Sequence, residues 1–493
     1  MSEVYHVGSR WLTRLGNARL FWALVGLNLL ITLAVAIAAT RTITLDDRSS
    51  YLGLAEGLQH GRYSAWHFLP DYVPDTFRNP GYPVFLLLLK TLGLAERGIH
   101  VVQTLFYLAS VGLIVRIAAR CEVAPQSWLV RNVFLLLLVP NIQLAYLAAY
   151  IYPEVLVAFF ISAYGFVALT WPVGSWKRTL ALALVAGLVF QLRPVFIFMP
   201  LIQLALDFWQ LRRRAFPWVQ AVTLLAVFGA TMLPYALWNQ RHHGVFKPTS
   251  LEGGAGVMQI GFWALRMPGY HEGRYWGNQM GDEVVAFTDS ADVPKHIAAF
   301  NHEWDVIDAK TKPLLTATDL KYKGLMYHYL LPGLENYGFL FPTRSSAYTI
   351  QREKLLMQAN LADIRREPGY YLKTRLYTLV RLWVTGIQRP AWRAATSPVA
   401  QIKVLYPTLV SGFTFLLALL SIGWVLLSRR KLVCPPAWRL SLALVVYFGI
   451  IHLPFAIQAR YTVPVRLWLL LSIALAVGTL LTPRRLTPEP VAV

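Results

Sequence analysis

Asp46 and Asp47 are adjacent acids that follow the first greasy segment of the chain, in RTITLDDRSSYLGLAEGLQHGRY. A charge beside hydrocarbon is costly unless it has a use. Two neighbouring carboxylates repel, which raises the pKa of one and suits it to take a proton from a hydroxyl. Successive helical residues point about 100° apart, so only one of the two is expected to face a site. The competing reading is helix capping, for which Asp is favoured. Arg78 in FRNPGYP, Arg193 in LRP and Arg460 in ARY are phosphate ligands by type. Each has a simpler reading: a snorkelling side chain at Arg78, an ion pair with Glu154 at Arg193, and a span end for Arg466 beside Arg460. Tyr51, Tyr82, Tyr461 and Glu154 complete the candidate substrate pocket. His242–His243 and His302–Asp305 match no metal-ligand spacing, so no metal and no other cofactor is expected.

The elements that hold these residues are membrane helices. Of 493 residues, 56% are hydrophobic and 14% charged, and mean hydropathy is +0.46. That is the composition of an all-α integral membrane protein. Seventeen Trp and 24 Tyr suit two interfacial belts. The net charge of +21 would suggest nucleic acid in a soluble protein. Here the cations cluster between apolar segments, which marks cytoplasmic loops and excludes a nucleic-acid partner. Met1–Leu20 is polar, and no cleavable leader is expected. Cys121 and Cys434 fall in separate inner loops, so no disulfide framework is expected.

Ten spans with both ends inside agree with every basic cluster. The division is 1–238, an N-terminal transmembrane module whose first outer loop (41–98) carries the acids; 239–402, an outer loop domain with juxtamembrane helices; and 403–493, C-terminal transmembrane helices. Tyr51, Leu54, Ala55 and Leu58 predict one apolar face of a short helix lying flat on the bilayer. Tyr82–Gly93 is too short to cross and reads as a second surface or re-entrant helix. Arg131–Tyr150 reads as one span. Thr179–Leu192, 14 residues and about 21 Å, would sink Arg193 below the outer head groups. Gly253, Gly254 and Gly256 suggest a tight loop with accessible amides. Residues 272–319 read as loop-rich with one short helix. Arg352–Arg366 and Tyr370–Thr385 read as helices, the second resting on the membrane.

D-x-x-x-Y-L-x-L-A (Asp47 to Ala55), Gly61-Arg62-Tyr63 and R-x-P-G-Y-P (Arg78 to Pro83) resemble the first outer loop of GT-C glycosyltransferases. The nearest group resembles the dolichyl-phosphate-mannose protein mannosyltransferases and the lipid A aminoarabinose transferase. Leu192-Arg193-Pro194, Asn239…Gly244 and Arg460-Tyr461…Pro464 are further echoes. The resemblance implies an inner-membrane enzyme of the cell envelope with a periplasmic active site. Its donor would be a sugar on a polyprenyl phosphate, and its acceptor a hydroxyl of a glycan, lipid or protein, as in lipopolysaccharide modification. It carries the base role onto Asp47 and a phosphate contact onto Arg78. This chain has Arg-Asn-Pro-Gly where relatives often have Lys-Pro-Pro, and it lacks a large soluble C-terminal domain. The expected reaction is an inverting transfer. The alternatives are a transporter or flippase of a lipid-linked sugar, which internal repeats would mark, and a non-catalytic scaffold; no repeat is seen.

Overall fold

The computed structural model describes residues 15–39, 47–121, 128–211, 216–252, 254–267, 270, 289–322, 344–386, 389–428, 432, 434–455 and 459–481. All regular structure among them is helical. Asp46, Gly253 and residues 271–288 lie outside the described residues.

The chain opens with α1 (Ala18–Ala39), a span, and α2 (Arg48–Gln59). α3 (Gly81–Thr91) is short, as its 11 residues require, and α4 (Glu96–Arg120) crosses. The third expected span is not one helix. It breaks into α5 (Leu129–Leu138) and α6 (Gln143–Leu147) around Pro140, which cannot donate into a helix ladder. Asn141 fills the break, donating to the Leu137 carbonyl and to Thr414. α7 (Glu154–Thr170) and α8 (Trp176–Leu192) follow. α8 has 17 residues, three more than expected, because Trp176, Lys177 and Arg178 join its first turn. The span is about 26 Å long, so shortness contributes less to the depth of Arg193 than the sequence suggests. A 3₁₀ turn at Pro194–Phe196 leads to α9 (Met199–Leu211).

α10 (Trp218–Ala230) and α11 (Leu233–His243) divide the seventh span; α12 is Gly254–Trp263. The expected glycine loop is thus corrected: Gly254 and Gly256 are helical residues in the first turn of α12. The 272–319 reading is corrected too, since α13 (Val293–Thr311) runs for 19 residues, with α14 (Ala317–Tyr322) after it. α15 (Ser346–Arg366) and α16 (Pro368–Trp383) are the two expected outer helices. Leu372, Leu376 and Val380 form an exposed apolar stripe on α16, the pattern of a helix laid on a bilayer. α16 is tied to the bundle by Arg375, which donates to the carbonyls of Leu453, Phe455 and Gly261. α17 (Arg389–Ala394) leads into α18 (Pro398–Ser428), α19 (Pro435–His452) and α20 (Val463–Leu481).

Among the described residues, six helices are long and apolar enough to cross a membrane: Ala18–Ala38, Glu96–Arg120, Pro194–Leu211, Trp218–His243, Pro398–Ser428 and Arg460–Leu481. The other four expected spans are helices of 18 residues or fewer. α20 is almost wholly enclosed, packed against α5, α7, α18 and α19. Its Trp468 is fully buried on Gly165 of α7, where any Cβ would collide with the indole. The last helix is therefore the core of the bundle that the first helices begin.

Candidate active site

α2 does not present the expected greasy face to lipid. Tyr51, Leu54 and Ala55 are buried, but so are Ser49, Ser50, Leu52, Gly53 and Gly57 around the rest of the helix. The glycines explain this. A Cβ at Gly57 would strike the Arg62 and Ser64 carbonyls, and one at Gly53 would sit 3.0 Å from the Ala65 carbonyl. The 61–69 loop thus closes over α2, and Glu56 clamps it to Lys90 of α3 at 2.5 Å.

Asp47 stands at the start of α2 and makes no capping hydrogen bond, so the capping reading fails. Its Oδ1 accepts from Arg78 Nη2 at 2.5 Å, and its Oδ2 accepts from Arg460 Nη2 at 2.7 Å. Residues 413 positions apart are joined through one carboxylate. Arg78 also donates to the Tyr51 hydroxyl at 3.3 Å and lies over the Tyr51 and Phe77 rings, 4.6 and 4.4 Å from their centroids. Its main chain is fixed as firmly. The Arg78 carbonyl accepts from Tyr63 and Tyr235, both at 2.9 Å, and its amide donates to Asp75 Oδ2 at 2.7 Å.

Arg193 ends α8 in extended backbone just before Pro194. Its guanidinium pairs with Glu154, an almost fully buried acid in the first turn of α7. The ion pair weighed against phosphate binding therefore exists. The two halves of the site meet at Arg460, whose Nε is 4.0 Å from the same Glu154 oxygen and whose guanidinium lies over Tyr152 at 4.5 Å. Tyr461 is 6.0 Å from the Arg193 guanidinium and 5.3 Å from the His452 ring. Tyr82 stands behind Tyr51, edge to face at 4.9 Å, with its hydroxyl committed to Gln103 at 2.6 Å. Gly81 brings the Arg78 loop against the end of α8: a Cβ there would lie 2.6 Å from the Gln191 carbonyl.

Among the described residues, the ion pairs of this cluster join three guanidiniums and two carboxylates. Side-chain exposures run from 13% at Arg78 to 26% at Arg193, so the group is partly open while Glu154 beneath it is sealed. Burial alone would push the Asp47 carboxyl up; Arg78 and Arg460 outweigh it and hold it well below the usual carboxylate range. Burial works against the charge on Arg78, but Asp47 and Tyr51 raise its pKa further still. Asp75 differs. Burial dominates there and pushes its carboxyl up to about 6, against the pull of the Arg78 and Phe77 amides and the Arg78 charge.

No family model and no curated protein matches this chain. Among solved structures it is similar to ArnT from Cupriavidus metallidurans bound to undecaprenyl phosphate. The TM-score is 0.36 and the identity 15%, over 90% of this chain and 77% of that one. A likeness that shallow transfers no residue role.

The sequence reading missed Asp75, Tyr63, Tyr235 and Tyr152. Gly61-Arg62-Tyr63 and Tyr152-Pro153-Glu154 held a usable signal, an aromatic residue within two places of a charged one beside a helix end. Nothing local marks Tyr235, which lies inside an apolar run. The histidines are structural or solvated: His243 bonds Ser346 Oγ at 2.7 Å and the Asp75 carbonyl at 3.1 Å, and His302 is exposed. Arg466 is buried and, among the described residues, donates to the Trp383 carbonyl and the Thr462 hydroxyl alone, both at 3.4 Å. Among the described residues no cluster of three potential metal ligands occurs.

Proposed function

We propose that this protein is a membrane glycosyltransferase of the GT-C type, which moves a sugar from a polyprenyl-phosphate donor to an acceptor hydroxyl on the periplasmic face of the inner membrane. The observation that carries this reading is one carboxylate shared by two arginines beside a third, with one guanidinium more than there are carboxylates in the ion pairs of the described residues. A purely structural cluster gains nothing from an excess cation in a poorly hydrated place. A site for a phosphate diester does, because the ligand supplies the missing negative charge.

The pairing also bears on mechanism. A carboxylate gripped by two guanidiniums is a weak base. A donor phosphate among the arginines competes for the same N–H groups and draws Arg78 and Arg460 from Asp47. With the counter-charges turned away, burial dominates and the Asp47 pKa rises toward the range useful for proton transfer. The acceptor oxygen then attacks the anomeric carbon, and its proton passes to Asp47. The bond from that carbon to the phosphate oxygen breaks with its electrons left on the phosphate. Arg78, Arg193 and Arg460 stabilise the charge as it grows. Attack opposite the leaving group inverts the anomeric centre. In this scheme Asp47 holds the arginines ready until donor arrives, and donor binding switches on the base.

The test is transfer by the purified protein in proteoliposomes with a synthetic polyprenyl-phosphate sugar. Asp47→Asn is expected to lower turnover by about 10² to 10⁴, the usual worth of a general base, with donor still bound. Turnover near wild type in that variant would remove Asp47 from the reaction. Movement of labelled donor across the bilayer with no release of polyprenyl phosphate would favour the flippase reading instead.

A further inference from the structure

A second hollow, formed by described residues, lies away from Asp47. It encloses about 230 Å³ at the other end of the bundle, walled by Trp171, Gln203, Asp207, Gln210, Arg439 and Leu440 among others. α7 measures the separation. Glu154 begins that helix inside the arginine cluster and Thr170 ends it beside the cavity. Sixteen rises of 1.5 Å are about 24 Å, close to the thickness of a bilayer core. The two places therefore lie at opposite head-group levels.

The floor of the cavity is electrically closed. Arg178 donates to both oxygens of Asp207 at 2.8 Å, and Gln203 Nε2 donates to Asp207 Oδ1 at 2.8 Å. Two features remain unanswered. Gln203 is 5% exposed, and its Oε1 has no hydrogen-bond partner among the described residues. Arg439 lies over the Trp209 ring at 4.5 Å and meets no acceptor among the described residues. Since Asp207 is already neutralised, Arg439 leaves the cavity with one positive charge. The volume is several times the roughly 30 Å³ of a liquid water molecule, so a bridging water does not account for it. Outside the wall, Leu201, Phe208 and Trp209 of α9 are exposed apolar residues, a surface for acyl chains. In the sequence, Arg212–Arg214 follow α9 and Arg429–Lys431 precede α19, so both helices reach this end beside cationic runs.

We infer that this cavity binds the head group of an anionic phospholipid. The phosphodiester sits against Arg439, a head-group hydroxyl donates to Gln203 Oε1, and the acyl chains run along α9. Basic hollows between helix ends at the inner leaflet are where such head groups are recognised. A phosphoglycerol head fits the two unanswered groups, having one anion and free hydroxyls. A choline head has no hydroxyl donor and carries a cation toward Arg439. This site is independent of the transfer reaction proposed above.

The test is native mass spectrometry of the full-length protein stripped of lipid in detergent, with phosphatidylglycerol, phosphatidylcholine or glycerol 3-phosphate added back. Phosphatidylglycerol is expected to bind at least tenfold more tightly than phosphatidylcholine, and glycerol 3-phosphate is expected not to displace it. Arg439→Gln should lose the high-affinity lipid, Arg439→Lys should keep part of it, and Lys177→Gln, which removes an exposed charge at the same end outside the cavity wall, should keep all of it. Equal retention of the two lipids would overturn the proposal, as would equal losses in Arg439→Gln and Lys177→Gln, which would mean general surface attraction. Displacement by glycerol 3-phosphate would make the site one for a soluble phosphoester. Should Arg439→Gln not fold, the wild-type comparison of the two lipids decides by itself.

Discussion

Two buried Arg–Asp clusters sit at opposite ends of this bundle, and they are built differently. At one end Arg178 and Asp207 form a closed bidentate pair, 4% and 6% exposed, with one charge of each sign and Gln203 satisfying the same carboxylate. At the other, Asp47 divides its two oxygens between Arg78 and Arg460, both partly exposed, while Arg193 and Glu154 add a second unequal pair. The first matches charge and geometry and has no capacity left. The second has, among the described residues, one guanidinium more than it has carboxylates, and access from outside. A matched buried pair holds helices in place; an unmatched, half-open one is held in readiness for an anion.

The sharpest way to break this contrast is to remove one acid from each end. Asp47→Asn is expected to lower transfer by about 10² to 10⁴ while the thermal midpoint barely moves, because a partly exposed cluster relaxes toward water. Asp207→Ala is expected to do the reverse. It strands the Arg178 charge in a sealed site and should cost about 3 to 5 kcal/mol, read as a fall in thermal midpoint or loss of monodisperse protein. Replacing Arg178 and Asp207 together by Met and Leu should restore most of it. If Asp47→Asn were the variant that unfolds, the contrast would collapse.

Arg193→Ala probes the surplus charge. A hydrogen bond to a charged group is worth about 1.5 to 3 kcal/mol, so donor affinity, measured by titration with a non-transferable polyprenyl phosphate, should drop by roughly 10- to 100-fold. Unchanged affinity would reduce Arg193 to the structural partner of Glu154. A smaller effect is expected from Asp75. Its carboxyl is raised to about 6 in the fold against an ordinary 3.8, so the folded state holds a proton that the unfolded chain has released between those values. Stability should therefore fall as pH rises from about 4 to 6, and Asp75→Asn should flatten that slope in a melting series. The smallest effect is at the arginine's main chain. Tyr63→Phe or Tyr235→Phe each removes one donor to the Arg78 carbonyl, about 1 kcal/mol, and a few-fold loss of transfer with little change in donor affinity would show that it acts by positioning.

Much of the molecule was legible in advance because hydrocarbon is a strict solvent. The helices and the membrane class follow from apolar runs of given length, and Asp47, Arg78, Arg193 and Arg460 stand out because they border apolar segments on the expected outer side, where the basic-loop rule does not account for them. What failed was local enclosure. The α2 stripe suggested lipid, yet Gly53 and Gly57 admit a loop that covers the helix, and a pattern of small residues does not announce what lies on it. The glycine-rich run suggested an open loop, yet it begins a helix, because the packing of α12 on α15 outweighs the propensity of Gly254 and Gly256.

By itself, the sequence determined that this chain lives in a membrane and which polar side chains are too expensive there to be idle, since both follow from transfer free energies of individual residues. Only the tertiary structure decided which of those charges meet. Asp47 and Arg460 share a hydrogen bond because α20 folds back into the core of the helices that precede it, and no local spacing encodes that return. The same holds for the difference between the Arg178–Asp207 pair and the Asp47 cluster: how many acids converge on an arginine is set by packing.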